Sequence, residues 1–487
     1  MRGLDALRRT QPLAGRRILI LVENLPVPFD RRVWQESLTL AAAGAKVSVI
    51  CPTGPGCEAE EETRDGIHIH RHPLPTEADG ALGYAREYAA ALWHQGRLAW
   101  KIHRTRGFDT IQACNPPDLL FLVALPFILF HKVRFVFDHH DISPELFEAK
   151  FGRRGPLWRL MLWLERATFG LADVVISTNE SYRRIALDRG CKPPGRVHVV
   201  RSGPDLDRLR PVPPDPSWRN GRAYMVGYVG VMGQQEGIDL LLDAAARIVR
   251  AGHDVQFVLV GGGPALPGMR ALAAKMGLAD HVTFTGRAPD AALFSVLSTA
   301  DICVNPDRVT VMNDKSTMNK ILEYMAFSKP IVQFDVIEGR VSAGNASLYA
   351  RPDDTADMAR LIVDLLHDPS RRDAMGRAGR RRLEAQFDWS HQIAPLIAAY
   401  RDAGSGQTRL RKRGFGGVGG QETTIGADLD LAAQDTGGIA GHQRPRRNRL
   451  RHNGPGPHDR AVADLDPWQD QAATADKAVR PDTCMKV

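Results

Sequence analysis

The sequence predicts an α/β protein in which two doubly wound parallel sheets face each other across a cleft. Three observations predict it. Short β-branched runs alternate with amphipathic helical stretches, the pattern of βαβ units. A Pro- and Gly-dense stretch, "SGPDLDRLRPVPPDPSWRNG", interrupts the alternation near the middle and reads as a linker. The alternation then restarts, and a chain of 487 residues is too long for one ordinary core. Ligands of such sheets collect at the carboxyl ends of the strands.

In order, strands are expected at 17–22, 46–50, 67–70, 109–114, 133–138, 174–177 and 197–201. Helices are expected over "DRRVWQESLTLAAAG" and "GYAREYAAALWHQGRLAWKIHRT". These make a Rossmann-like first domain, 1–204, followed by the linker, 205–222. The second domain, 223–388, carries strands at "YMVGYVG", "VQFVLVG", "VTFTG", "DICVNP" and "PIVQFD". Residues 389–403 form a closing helix with the option of returning to the first domain. Residues 404–487 are rich in Gly, Arg, Asp and Gln without period, and are expected to be a disordered tail.

Apolar content of 43% and charged content of 25% are those of a soluble globular protein. The six cysteines show no CxxC pair, so no zinc site is expected. The start lacks an apolar signal region. The longest apolar run, 119–130, is short of the ~20 residues that span a bilayer. The net charge of +8 is uneven: residues 1–204 carry 28 Lys and Arg against 22 Asp and Glu, whereas 205–403 carry 23 against 24. A basic front half suits an anionic lipid surface, and no nucleic-acid partner is expected. The stretch "RRGPLWRLMLWLERATFGL" places Trp158, Leu162 and Phe169 among Arg153, Arg154, Arg159 and Arg166. That is either a lipid-interface helix or a packed one with salt-bridged edges.

Three places in the second domain are receptive to an anion. "YVGVMGQQEG" ends a strand at Gly230, passes Gly233 and opens a helix after Gly237. "VLVGGGP" repeats the geometry with Gly262 and Gly263. "KSTMNKILEYMAFSKPIV" offers a third helix N-terminus, with Ser316 or Thr317 as cap and Lys320 in the first turn. Glu323 follows Lys320 on the same helix face, where an exposed ion pair is the plain alternative. The G-x-G-x-x-G dinucleotide pattern is broken by Leu266, and no P-loop is present.

Taken in order, "VGYVGVMGQQEGIDLLLDA", "VLVGGGP", "VTFTG" and "KSTMNKILEYMAFSKPIV" resemble the donor domain of retaining, family-4-type glycosyltransferases of the GT-B fold. "FDRRVWQESLTLAAAG", "FDHHDISPEL", "ADVVISTNES" and "VVRSGPDLDRLRP" supply the matching first half. The closest likeness is to enzymes that extend polyprenyl-diphosphate-linked oligosaccharides in exopolysaccharide assembly, and it spans residues 16–401. The resemblance implies transfer of a sugar from a UDP- or GDP-sugar with retention, at the cytoplasmic face of the plasma membrane. No cofactor and no metal are expected; "DLD" triplets fall only in linker or tail.

By the same resemblance Glu323 is the second Glu of the E-x7-E motif and accepts the donor ribose hydroxyls, a task suited to an acceptor-only carboxylate. Gly230, Gly233, Gly262 and Gly263 line the nucleotide loops. His139, His140 and Asp141 reach the sugar and the acceptor. In the first domain Asn24, Arg31, Arg32 and Asn115 are placed on the acceptor side, though Arg31 and Arg32 equally suit a solvated helix start. The chain departs from the pattern at three positions. Lys315 stands where the first Glu falls, with Asp314 adjacent, and the family's phosphate-binding Arg and Lys fall on Val231 and Glu236. Lys315, Lys320 and, more remotely, Arg287 are the substitute cations. Two rivals remain: a nucleotide-sugar epimerase of the same shape, and a scaffold without catalysis.

Overall fold

In the computed structural model, which describes residues 3–73, 80–152 and 154–405, the β-branched runs pair into two sheets. The first holds β1 (Arg17–Leu21), β2 (Lys46–Pro52), β3 (Glu61–Arg64), β4 (Ile67–His72), β5 (Thr110–Cys114), β6 (Arg134–His139), β7 (Val174–Ser177) and β8 (Val197–Val199), in the order β3-β4-β2-β1-β5-β6-β7-β8. The second holds β9 (Tyr224–Val229), β10 (Val255–Val260), β11 (Val282–Gly286), β12 (Ile302–Asn305), β13 (Ile331–Phe334) and β14 (Ser347–Ala350), in the order β11-β10-β9-β12-β13-β14. All pairings are parallel except β3 against β4. Parallel strands covered on both faces need apolar residues at nearly every position, which is what "ILIL" in β1 and "VQFVLV" in β10 supply.

Each sheet reverses its strand order beside its first strand, at β1/β5 and at β9/β12. A crevice opens at the carboxyl ends of strands at such a reversal. Two strands were not foreseen. β3 is short, polar and largely exposed, so it carries no apolar signal. β14 is four residues long and follows a Gly-Asn turn, too short to show a period.

Helices cover both faces of each sheet and bury separate apolar layers. The last described helix, Trp389–Ser405, leaves the second domain and packs into the first. Trp389, Leu396 and Tyr400 join the core beside β1, Trp389 Nε1 donates to Thr39 Oγ1 at 2.9 Å, and the Tyr400 hydroxyl donates to Gln112. The expected tail lies outside the described residues except for Gly404 and Ser405, which complete this helix.

Among the described residues no helix is long and apolar enough to cross a membrane. The helix Pro156–Leu171 faces otherwise than expected. Phe169 is fully buried, Trp158 and Leu162 are half-buried, and the exposed apolar residues are Leu157, Leu160 and Trp163. Phe169 packs inward against the rings of Phe137 and His139 on β6. Arg153 lies outside the described residues.

Trp389→Ala deletes a buried indole and its hydrogen bond while the rest of the helix persists. We expect a loss of about 3–5 kcal/mol, read as a lower urea midpoint with an unchanged circular-dichroism spectrum before the transition.

Candidate functional site

A cleft of about 1140 Å³ lies between the two sheets, lined from one side by residues after β1, β5 and β6 and from the other by the Gly230 loop and the segment around Glu323. On the first-domain side the helix Arg31–Ala42 starts directly after the β1 loop, capped by Asp30, whose carboxylate accepts the Val33 N–H at 3.1 Å. Neighbouring helix positions point about 100° apart, and the two arginines part company. Arg31 projects across the cleft; Arg32 turns inward.

Arg32 was expected to meet the acceptor, and the structure corrects this. Its side chain is buried, and its guanidinium donates four hydrogen bonds within the protein. Nε and Nη2 hold the two oxygens of Asp138 at 3.2 and 2.7 Å, and Nη2 also meets Glu36 at 3.1 Å. Nη1 reaches the Val200 carbonyl at 2.8 Å and the Ser202 hydroxyl at 3.3 Å. Burial opposes the Asp138 charge, but Arg32 and then His140 outweigh it and hold the carboxyl below its usual range. Burial, then the Asp138 charge, raises the Glu36 carboxyl above its usual range, with Arg32 opposing the rise.

At the end of β6 successive side chains alternate between faces. Phe137 and His139 point to one side, Asp138 and His140 to the other. His139 is fully buried among Phe137, Phe169 and Tyr182, and both ring nitrogens lack a hydrogen-bond partner. Burial, then the nearby Arg189 guanidinium, pushes its imidazole down to about 3. It does not line the cleft, and its expected catalytic role is withdrawn. His140 and Asp141 do line the cleft. Asn115, expected on the acceptor side, sets their position: its Oδ1 accepts the N–H groups of His140 and Asp141 at 2.8 and 3.0 Å. Its Nδ2 donates to Asp118 at 3.0 Å and to the Asp141 carbonyl at 2.6 Å. Asn24 lies exposed at the same rim.

Cys114, Asp138 and His140 approach one another closely enough to suggest a metal. The Asp138 oxygens already hold a guanidinium, and burial keeps the Cys114 thiol protonated. A divalent ion there would sit against Arg32. The residues do not fit one.

In the second domain the loop after β9 packs on the loop after β10: Met232 N–H donates to the Gly262 carbonyl at 2.8 Å, and Ala265 N–H to the Met232 carbonyl at 2.9 Å. Gly261 and Gly263 permit that approach: a Cβ on Gly261 would lie 1.8 Å from the Gly230 carbonyl, and one on Gly263 would lie 2.5 Å from the Met232 carbonyl, both at positive φ. Gly230, also at positive φ, would set a Cβ 2.7 Å from the Tyr228 hydroxyl. Gly233 donates its N–H to Glu236 at 2.9 Å. Gly233, Gly262 and Gly263 therefore shape the loop without lining the cleft, where its exposed member is Val231. Glu236 is held protonated more readily than usual by burial and by Asp307.

Lys320 lies in the first turn of the helix Asn319–Ala326, as expected, but Ser316 and Thr317 do not cap it; the cap position is Met318. Lys320 is buried against Tyr228 and pairs with Asp307 at 2.7 Å. Lys315 turns toward the first domain and meets Glu145 at 3.6 Å. Asp314 accepts the Ile337 N–H at 3.0 Å and is not a cleft residue. Glu323 is a cleft residue, 14% exposed, and takes Arg31 Nη1 on Oε1 at 2.9 Å. Burial raises its pKa and Arg31 opposes the rise.

Three further residues, Asp290, Asn179 and Tyr182, enter the site without having been singled out in the sequence, and Arg287, a remote candidate cation, joins them. Asp290 accepts Arg31 Nη2 at 3.0 Å and also pairs with Arg208 of the linker. Asn179 caps the helix Glu180–Asp188 and donates to the Lys315 carbonyl and Thr317 Oγ1 at 2.8 and 2.9 Å. The Tyr182 hydroxyl meets Ser316 Oγ at 3.0 Å. These last two hold the loop ahead of the Glu323 helix from the opposite domain. Arg287 stacks over Phe29 across the cleft at 4.2 Å.

Residues 30–208 match the family described as Glycosyltransferase Family 4, and residues 223–368 match glycosyl transferases group 1. Alpha-maltose-1-phosphate synthase of Mycolicibacterium smegmatis is 30% identical over 295 residues, 56% of this chain and 74% of that protein. Alpha-D-kanosaminyltransferase of Streptomyces kanamyceticus is 24% identical over 394 residues, 75% of this chain and 97% of that one. An Anabaena protein crystallised with UDP and glucose superposes with a TM-score of 0.61 at 15% identity, covering 81% of this chain and 100% of that one.

His139 titrates near 6.5 in the unfolded chain and near 3 when folded, so the unfolded state takes up the proton first. Its contribution is present above about pH 6.5 and is lost as the pH falls toward 3. His139→Phe, which fits an aromatic pocket, is expected to move acid unfolding to lower pH, measured by tryptophan fluorescence. An unchanged acid midpoint contradicts the assignment.

Proposed function

The chain belongs to the family-4-type glycosyltransferases of the GT-B fold, and from that premise we propose that it moves a sugar from a UDP- or GDP-sugar to a polyprenyl-diphosphate-linked oligosaccharide in exopolysaccharide assembly, with retention. One observation carries the donor side: Glu323 faces the cleft as a desolvated carboxylate whose partner Arg31 comes from the other wall. Two ribose hydroxyls suit both its oxygens. A nucleotide anchored there lays its diphosphate toward the N-terminus of the helix Asn319–Ala326 and the Gly230 loop, where main-chain N–H groups and the helix dipole favour negative charge. The Anabaena neighbour solved with UDP and glucose supports this donor class.

In the reaction the bond from the anomeric carbon to the phosphate oxygen breaks, and a bond to the acceptor oxygen forms on the same face. The acceptor proton passes to the departing phosphate oxygen, so no strong side-chain base is needed. N–H donors aimed at the growing phosphate charge are the largest expected catalytic contribution. His140, in the cleft and tied through Asn115, orients the sugar or acceptor hydroxyls, with Asp141 beside it. No metal takes part in this reading.

Attachment to the inner face of the plasma membrane is the second part of the proposal. The helices Gly80–Thr105, Phe121–His131 and Pro156–Leu171 share one apolar layer under the first sheet. Their outer sides expose Trp93, Leu129, Phe130, Leu157, Leu160 and Trp163, with Arg97, Arg104, Arg159 and Arg166 among them. Apolar side chains set among cations suit the interface of an anionic bilayer.

Incubation of membranes and purified protein with radiolabelled UDP- and GDP-sugars should place label in the lipid extract, with or without EDTA. Glu323→Ala should abolish it while leaving the thermal midpoint unchanged, and wild-type turnover in that variant contradicts the ribose assignment. In flotation, the protein should rise with phosphatidylglycerol vesicles, and the double variant Phe130→Ser, Trp163→Ser should stay at the bottom. Failure of the wild type to float ends the membrane reading.

A further inference from the structure

The phosphate end of this cleft is short of positive charge. Val231 and Glu236, in the loop after β9, bring no positive charge to it. Lys320 is buried and balances Asp307, and Lys315 is drawn to Glu145 of the other domain. A diphosphate seated at that helix nose would meet Glu236 and Asp307 with one ammonium between them.

Arg31, Arg64 and Arg208 are exposed cations that line the cleft, and of these Arg31 is the one paired with Glu323. Its side chain is 44% exposed, and its two Nη groups rest on Glu323 and Asp290. Asp290 is exposed, and an ion pair there is worth about 0–1 kcal/mol; Glu323 is mostly buried, and Arg31 occupies only its Oε1. One of these carboxylates is the group the ribose must occupy, so a nucleotide and Arg31 compete for Glu323. The helix nose at Asn319 lies four residues before Glu323, about 6 Å along the axis. That is a rotation of one long side chain away.

We propose that Arg31 is a first-domain phosphate clamp: it rests on Glu323 in the empty cleft, yields that carboxylate to the donor ribose, and swings onto the donor diphosphate. This assignment rests on the donor reading above and moves Arg31 from the acceptor to the donor. The planar guanidinium matches a phosphate with two parallel N–H donors. The exchange also ties donor binding to the approach of the two walls, since the clamp stands on one and the ribose carboxylate on the other.

The clamp predicts opposite effects on two ligands. Titration calorimetry of the full chain with UDP and GDP identifies the base, and the corresponding nucleoside is then titrated alone. In Arg31→Ala the diphosphate should weaken about 10- to 100-fold, the loss of a charge-assisted hydrogen bond. The nucleoside should bind as well as before or more tightly, because its competitor for Glu323 is gone. Arg31→Lys should fall between wild type and Arg31→Ala for the diphosphate. Equal weakening of nucleoside and diphosphate marks a merely structural residue and overturns the proposal, as does unchanged diphosphate affinity. A wild-type chain that binds neither UDP nor GDP brings down the donor reading itself, and the clamp with it.

Discussion

The ion pair between Arg32 and Asp138 is the constraint on which the cleft depends. It joins the helix after β1 to the end of β6, and through Val200 and Ser202 to the chain after β8. Two carboxylates face one guanidinium there, and the pair splits: the Glu36 carboxyl is pushed up by burial and the Asp138 charge, and that of Asp138 is held down by Arg32. Breaking a buried pair of this kind costs about 3–5 kcal/mol, several times the worth of any ion pair at the rim. The floor is therefore held more firmly than the exposed contacts at the mouth.

The polar contacts across the cleft fall into two groups. On one side Asn179 and Tyr182 hold the loop ahead of the Glu323 helix, and Ser181 donates to Glu338 at 2.7 Å. These are shielded contacts involving backbone and short side chains, and they keep the donor helix aligned with the first domain. On the other side Arg31, Arg208, Asp290, Arg287 and Phe29 meet at the open mouth. Exposed ion pairs of this kind are worth about 0–1 kcal/mol each, so the mouth is held more weakly than the opposite side.

The closing helix, Trp389–Ser405, belongs in the same account. It starts beside the second domain yet buries Trp389 and Tyr400 in the first, and Tyr400 touches Gln112, which donates to Glu36 at 2.8 Å. The chain thus crosses between domains twice, once through the linker and once through this helix. Two crossings restrict relative motion to opening and closing about one line.

The two doubly wound sheets and most strand positions were legible in the sequence, because parallel strands buried on both faces demand apolar runs and crossover helices demand amphipathic ones. The edge strand β3 and the short β14 were not, since neither carries that pattern. Within the site, the resemblance pointed to Glu323. His139 and His140 were separable in principle: adjacent strand residues face opposite ways, and Phe137 two places earlier marks the core side. The split between Arg31 and Arg32 is the helical counterpart. What the sequence by itself determined was local periodicity, glycine turns and the carboxylate on its helix face. What only the tertiary structure decided was partnership: Arg31 with Glu323, 292 residues apart, Asn179 with Thr317, and the raised pKa of the Glu36 carboxyl. Those depend on distances through space and on burial, and neither leaves a mark on the spacing of residues along the chain.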